Sequence, residues 1–177
     1  MTIPAEVRAT VRRRANFRCE FCEVTEVDSG GELTIDHFRP GAKGGGDTLD
    51  NLIYCCARCN QHKLDYWPSV PGDAKLWNPR LEPRDVHFLE LEDGALHPLT
   101  TTAAFTIQRL RLNRFPLIAY RLRRRKRREE ARLLAQYEEL LQLQEQLQRQ
   151  VIAIAQEQQR LLEEQKRLLA LLLTRLE

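Results

Sequence analysis

Two adjacent residues, Asp36 and His37, stand at the end of the run "ELTIDHF", just before the glycine-rich stretch "RPGAKGGGD". A carboxylate can hold a hard metal ion through oxygen, and a neutral imidazole can take a proton near neutral pH. Together they suit the hydrolysis of a phosphate ester. Water must lose a proton, the crowded phosphate must be stabilised, and the leaving oxygen must be neutralised. On a continuing strand the two side chains would point to opposite faces. Pro40 and the glycines end the strand there, so both can approach one phosphate.

Four of the five cysteines form two CxxC pairs, Cys19 with Cys22 and Cys56 with Cys59. Each CxxC turn delivers two thiolates, and two such turns satisfy the tetrahedral preference of Zn²⁺. Structural zinc is the expectation. It replaces a core that so short a segment cannot build, and clamps an N-terminal knuckle to a helix around Cys59. Cys55 is the spare, read as a small buried residue rather than a ligand.

The quoted segments "CEFC", "IDHFRP" and "GGGDTLDNLIYCCARCNQHK" together resemble the HNH endonucleases of the ββα-metal type, in the subgroup whose finger is bracketed by two CxxC pairs. The likeness covers about residues 14–67. It implies two antiparallel strands and a helix around one catalytic divalent ion, Mg²⁺ or Mn²⁺. It also assigns roles: His37 as general base, Asn51 as the residue that holds the imidazole through its carbonyl group, and Asp36 and Asn60 as ligands of the ion. Asn60 stands where the family often has His. A neutral amide oxygen is adequate for a hard ion, so the departure bears on metal preference rather than on the site. The segment from "LWNPR" to "RLRLNR" more weakly resembles a tail found after this finger in some bacterial HNH proteins.

These residues must be positioned by the rest of the chain, which reads as α+β in three regions. Residues 1–68 form the zinc-stapled nuclease finger: a helix from Pro4 to Ala15, the cysteine knuckle, a strand at "ELTIDHF", a glycine loop, then a turn passing into a helix around Cys59. Residues 69–116 begin Pro-rich and continue as a hairpin about Asp93-Gly94 and a helix opened by a Thr cap. Residues 117–177 contain neither Gly nor Pro and are rich in helix formers. An unbroken helix of that length would span roughly 90 Å.

A seven-residue frame fits this last region. Leu133, Leu140, Leu147, Ile154, Leu161 and Leu168 share position d. Tyr137, Gln144, Val151, Gln158, Gln165 and Leu172 share a, and Leu134, Leu141, Ala155, Leu162, Leu169 and Leu176 share e. An intact d line with apolar e positions makes a stripe wider than a two-stranded seam. The expectation is a homo-oligomeric coiled coil of undetermined strand number. The competing reading is a helical hairpin folded on itself.

The net charge of +3 is modest, but cations crowd into "RLRRRKRR". Arg121, Arg123, Arg124, Arg125, Lys126, Arg127 and Arg128 are read as a grip on DNA, because like charges at i,i+4 repel and an anionic partner relieves them. A solvated helix face is the bland alternative. Arg39 and Lys63, beside the motif, are phosphate contacts or surface ion pairs. His62 is read as a helix-surface residue, His87 and His97 as structural, and Asn78 and Arg80 as turn and packing residues. No segment resembles a secretion signal or a membrane span, which leads to the expectation of a soluble, cytoplasmic protein.

Two functions follow. One is a metal-dependent DNA endonuclease assembled through its coil. The other is a non-catalytic zinc module that binds nucleic acid or a partner, or a nuclease subunit licensed by a second protein in a defence system.

Overall fold

The structure is a computed structural model and describes residues 3–173, with side chains described up to residue 171. The expected Leu176 contribution to the stripe lies outside the described residues, and so does the Leu172 side chain. The chain divides into two units, one ending at Arg124 and one beginning at Arg125.

The first unit mixes short helices with two small sheets. Helix α1, Ala5–Arg14, starts behind Pro4, whose φ of −55° is already helical. It buries Val11 and ties back through Arg14, which donates to the carbonyls of Leu49 (2.7 Å) and Leu52 (2.6 Å). The knuckle follows. Glu23 N–H donates to Cys19 O and Cys19 N–H to Val24 O, closing a loop about the first CxxC pair. A single-turn helix, α2 (Glu26–Ser29), is capped by Thr25, which accepts from Asp28 N–H, and ends at Gly30 in the left-handed region.

Strands β1 (Thr34–His37) and β2 (Leu52–Cys55) pair antiparallel, with Thr34 opposite Cys55 and His37 opposite Leu52. All four β2 residues are buried. The residue-level expectation of a turn leading straight into a helix is corrected here: "LIYC" is a strand, as the family resemblance implied. A continuous apolar run of four fits a strand covered on both faces. Helix α3, Ala57–Lys63, then begins at Cys56, whose sulfur accepts from Cys59 N–H.

The second sequence region packs in the same unit. After the one-turn helix α4 (Arg84–His87), strands β3 (Phe88–Glu90) and β4 (Leu96–Pro98) form the expected hairpin, with Gly94 at φ 81° in its turn. Helix α5, Thr101–Arg109, is capped by Thr100, which accepts from Ala103 N–H. One core cluster runs from Val11 through the cysteines and β2 to Trp77, Phe88, Leu110 and Leu117.

Helix α6, Phe115–Leu173, is uninterrupted over 59 residues, so the helical-hairpin reading is not adopted. Its described d positions are more than half exposed, from 51% at Leu161 to 63% at Leu140.

Candidate functional site

The four paired cysteines converge. Their sulfur atoms all lie within 4.8 Å of one another, and all four residues are buried. Cys22 Sγ and Cys56 Sγ are 3.7 Å apart. A tetrahedron with Zn–S bonds of about 2.3 Å has edges of about 3.8 Å, so the donor set fits Zn²⁺ in both chemistry and spacing. Hydrogen bonds from Cys19, Cys22 and Cys59 hold the Cys56 thiol far below its ordinary range. The same sulfur contacts push Cys22 and Cys59 up. A dication at the centre removes that conflict, because it stabilises every thiolate at once. Cys55 stays outside the set as expected, and burial pushes its thiol up.

His37 ends β1. Its Nε2 lies 2.6 Å from Oδ1 of Asp47, the residue that follows the three glycines. Nδ1 has no hydrogen-bond partner among the described residues, so Asp47 holds one side of the ring and leaves the other available. Asp47 was not anticipated. The only clue in the sequence is an acidic residue closing a loop flexible enough to fold back on the strand.

Asp36 sits at 18% side-chain exposure, and its Oδ2 lies 2.8 Å from Nζ of Lys63. Lys63 also donates to the backbone carbonyl of His37 at 2.6 Å. With 1% of its side chain exposed, Lys63 is an internal strut between α3 and β1. This corrects its expected role as a phosphate contact, since a buried ammonium with three oxygens in reach has no access to a substrate strand. Asn60 lies one turn before Lys63 on α3, half-buried. Asp36 Oδ1 and the Asn60 carboxamide make no hydrogen bond among the described residues. One carboxylate oxygen and one amide oxygen are a donor set suited to a hard divalent ion.

Asn51 does not hold the imidazole. Its Oδ1 accepts from Arg39 N–H at 2.8 Å, and its Nδ2 donates to the carbonyls of Gly46 (2.8 Å) and Arg39 (3.1 Å). The carboxamide thus bridges the two arms of the glycine loop. Its effect on His37 is indirect: it fixes the loop that carries Asp47. Gly45 sits inside this clamp, where a Cβ would fall 1.8 Å from Arg39 O and 2.8 Å from Asn51 Nδ2.

The basic tract divides by helical periodicity. Arg121 is buried and donates to the carbonyls of Gly94 (2.5 Å) and Leu112 (2.9 Å). Arg124, three residues on, pairs with Glu23 (2.6 Å) and Glu90 (2.5 Å). Both belong to the inner face of α6 with Leu117 and Tyr120, so their expected part in a DNA grip is corrected: they hold the hairpin and the knuckle. Arg123, Lys126, Arg127 and Arg128 are exposed and Arg125 is half-buried. Arg39 is exposed, with its guanidinium over the Trp67 ring at 5.4 Å.

His87 is buried between Thr100 and Glu82, and Asn78 caps a turn by accepting from Arg80 N–H. Arg80 pairs with the buried Glu20, whose carboxyl burial pushes up. Burial and three nearby arginines lower the pKa of His62, which favours its neutral form. No helix among the described residues is long and apolar enough to cross a membrane.

Residues 19–65 match the family model described as HNH endonuclease. The N-terminal part of the chain therefore carries an HNH domain, and that domain holds both cysteine pairs, Asp36, His37, Asp47, Asn51 and Asn60. No curated protein and no solved structure matches the chain.

Proposed function

We propose that this protein is a metal-dependent endonuclease that hydrolyses phosphodiester bonds in DNA, with His37 as general base. The observation that carries the reading is the 2.6 Å contact of His37 Nε2 with Asp47 inside the HNH segment. A ring nitrogen fixed on a carboxylate sets the tautomer, so Nδ1 is the atom that accepts the proton of the attacking water. Asp36 through Oδ1 and Asn60 through its amide oxygen would hold Mg²⁺ or Mn²⁺. When bound, that ion supplies Lewis-acid charge at the phosphate and the leaving oxygen. Lys63 keeps the Asp36 carboxylate and the end of β1 in a fixed relation. Asn51 keeps the loop from drifting away from His37. The cysteine tetrad would hold Zn²⁺ and so tie the knuckle to α3, the helix that carries Asn60.

The exposed cations Arg39, Arg123, Lys126, Arg127 and Arg128, with the half-buried Arg125, supply sequence-independent attraction to the phosphate backbone. The apolar stripe of α6 joins copies of the chain, which brings more than one HNH domain to a duplex.

The test is plasmid nicking by the zinc-loaded full chain. Mg²⁺ or Mn²⁺ is expected to support nicking, and His37→Ala to lower the rate by about 10²–10⁴-fold with zinc content and folding retained. Undiminished cleavage by that variant would falsify the mechanism. Binding without cleavage under any divalent ion would select the non-catalytic zinc module instead.

A further inference from the structure

Beside the glycine loop lies an open cleft of 760 Å³, lined by Phe38, Arg39, Asn51, Tyr66 and Trp67. Leu76, Asn78 and Leu81, from the second sequence region, line it too. Its volume is in the range that holds a small organic ligand. We infer that this cleft receives an unpaired nucleobase of the substrate strand, stacked on Trp67, next to the phosphate that His37 addresses. The inference rests on the nuclease reading for the identity of the strand and adds how that strand is held.

Three observations support a base rather than a phosphate or an apolar side chain. The first is charge. Arg39 and Lys75 are matched in the lining by Asp50 and Glu82, so the cleft as a whole offers no excess field for an anion. It suits a flat, neutral group with polar edges. The second is the contrast between the two tryptophans. Trp77 is built into the core, buried, with its indole N–H donated to Glu82 O. Trp67 is half-buried at the cleft, and its N–H has no partner among the described residues. Phe38 meets it edge-on at 6.0 Å, and Arg39 covers it at 5.4 Å. A ring with an aromatic neighbour at its side and an arginine over one face is a stacking platform, since every base has a π-face and a guanidinium adds to the stack. Its neighbour Tyr66 is held rigid, donating to Ala74 O and packed between Phe105 and the Arg109 guanidinium.

The third observation is position. Arg39 is two residues beyond His37, at most about 7 Å of chain, which is the scale of one nucleotide step. The Asn51 clamp holds the shared wall in place. A base in this cleft would therefore belong to a nucleotide adjacent to the scissile phosphate. A base stacked and paired in B-form DNA cannot enter, so the cleft favours single-stranded or locally unpaired DNA over intact duplex.

The experiment measures binding rather than cutting. The full zinc-loaded chain, without added Mg²⁺ or Mn²⁺, is titrated with a short single-stranded oligodeoxynucleotide and with an abasic sugar–phosphate oligomer of equal length. The base-bearing strand is expected to bind roughly 10-fold tighter. It should also quench tryptophan emission. Trp67→Ala should erase the difference, and Trp67→Phe should keep most of it. Equal affinity of the wild-type chain for the two oligomers would overturn the inference, and that comparison depends on no variant folding. Undiminished base preference in Trp67→Ala would overturn it as well. Binding is read without the ion, so a chain that prefers bases here but fails to nick plasmid with Mg²⁺ or Mn²⁺ upholds the cleft and counts against the nuclease reading alone.

Discussion

In the proposed mechanism, Asp47 decides what His37 can do. An imidazole with Nε2 on a carboxylate at 2.6 Å has one orientation and one nitrogen left to work with. Asp47→Asn keeps a polar partner of the same size but removes the charge and allows the amide to donate instead of accept. The nicking rate should fall about 10–100-fold, less than the loss from His37→Ala, because the base remains and only its orientation and tautomer are disturbed. The glycines offer a sharper test of the loop. Gly45→Ala drives a methyl into Arg39 O and the Asn51 amide, whereas Gly46→Ala meets nothing within 4 Å. Gly45→Ala should abolish nicking and lower the melting temperature, and Gly46→Ala should leave both near wild type. Equal behaviour of the two variants would show that the clamp does not control the site. At this scale the cysteine set was legible because a CxxC turn is local and its spacing alone fixes where two sulfurs go. Asp47 and the true partners of Asn51 were not. A run of glycines leaves the backbone path open, and only the folded loop shows which acidic residue returns to the strand. Lys63 departs from its expected role for a related reason: charge in a sequence says nothing of burial, and its carboxylate partner lies on another element.

At the scale of elements, α1, α2 and β2 meet at Glu26. Arg12 grips its carboxylate through Nε (2.6 Å) and Nη2 (2.7 Å), and the Tyr54 hydroxyl donates to it from β2. The arginine holds the Glu26 carboxyl below its ordinary value of 4.5. Burial, then the bond to Glu26, pushes the Tyr54 hydroxyl up to about 12. Because the folded value of Glu26 is depressed, its contribution is complete above pH 4.5 and is lost as pH falls through the lower folded value. Melting curves should show Glu26→Gln less stable than wild type at pH 7, with the gap closing in acid. Loss of zinc from protonated thiolates weakens both proteins alike, so the difference between them isolates the carboxylate. A gap that stays constant from pH 7 to pH 3 would remove Glu26 from the acid response. Element-level reading succeeded where composition is punctuated, as at Asp93-Gly94 and the Thr100 cap. It failed at β2, where an apolar tetrapeptide beside a helix has no period to read. It also failed in the Arg tract, where summing charge hid a helical face: Leu117, Tyr120, Arg121 and Arg124 recur at intervals of three and four and all turn inward.

At the scale of the whole molecule, α6 poses the remaining problem. From Leu133 to Leu168 it exposes a leucine or isoleucine at every d position, and Leu134, Leu141, Leu162 and Leu169 widen the stripe. A single helix in water gains nothing from such a face, whereas burying it against a second copy removes apolar area at about 25 cal/mol per Å². The proposed assembly through this stripe bears on the proposed chemistry, because one HNH domain would offer one site and make one nick. Two domains held in one assembly can cut both strands before the DNA departs. Replacing Leu147 and Ile154 together by Glu sets charges into the middle of the seam while leaving the residues up to Arg124 untouched. Light scattering should report a multiple of the 20.7 kDa chain for wild type and the single-chain mass for the double variant. On supercoiled plasmid, wild type should give linear product alongside nicked circles. The variant should give nicked circles almost alone, at a per-site rate close to wild type. If the variant is monomeric yet linearises plasmid as efficiently as wild type, the coil serves something other than two-strand cleavage. If it keeps the wild-type mass, the seam lies elsewhere on α6.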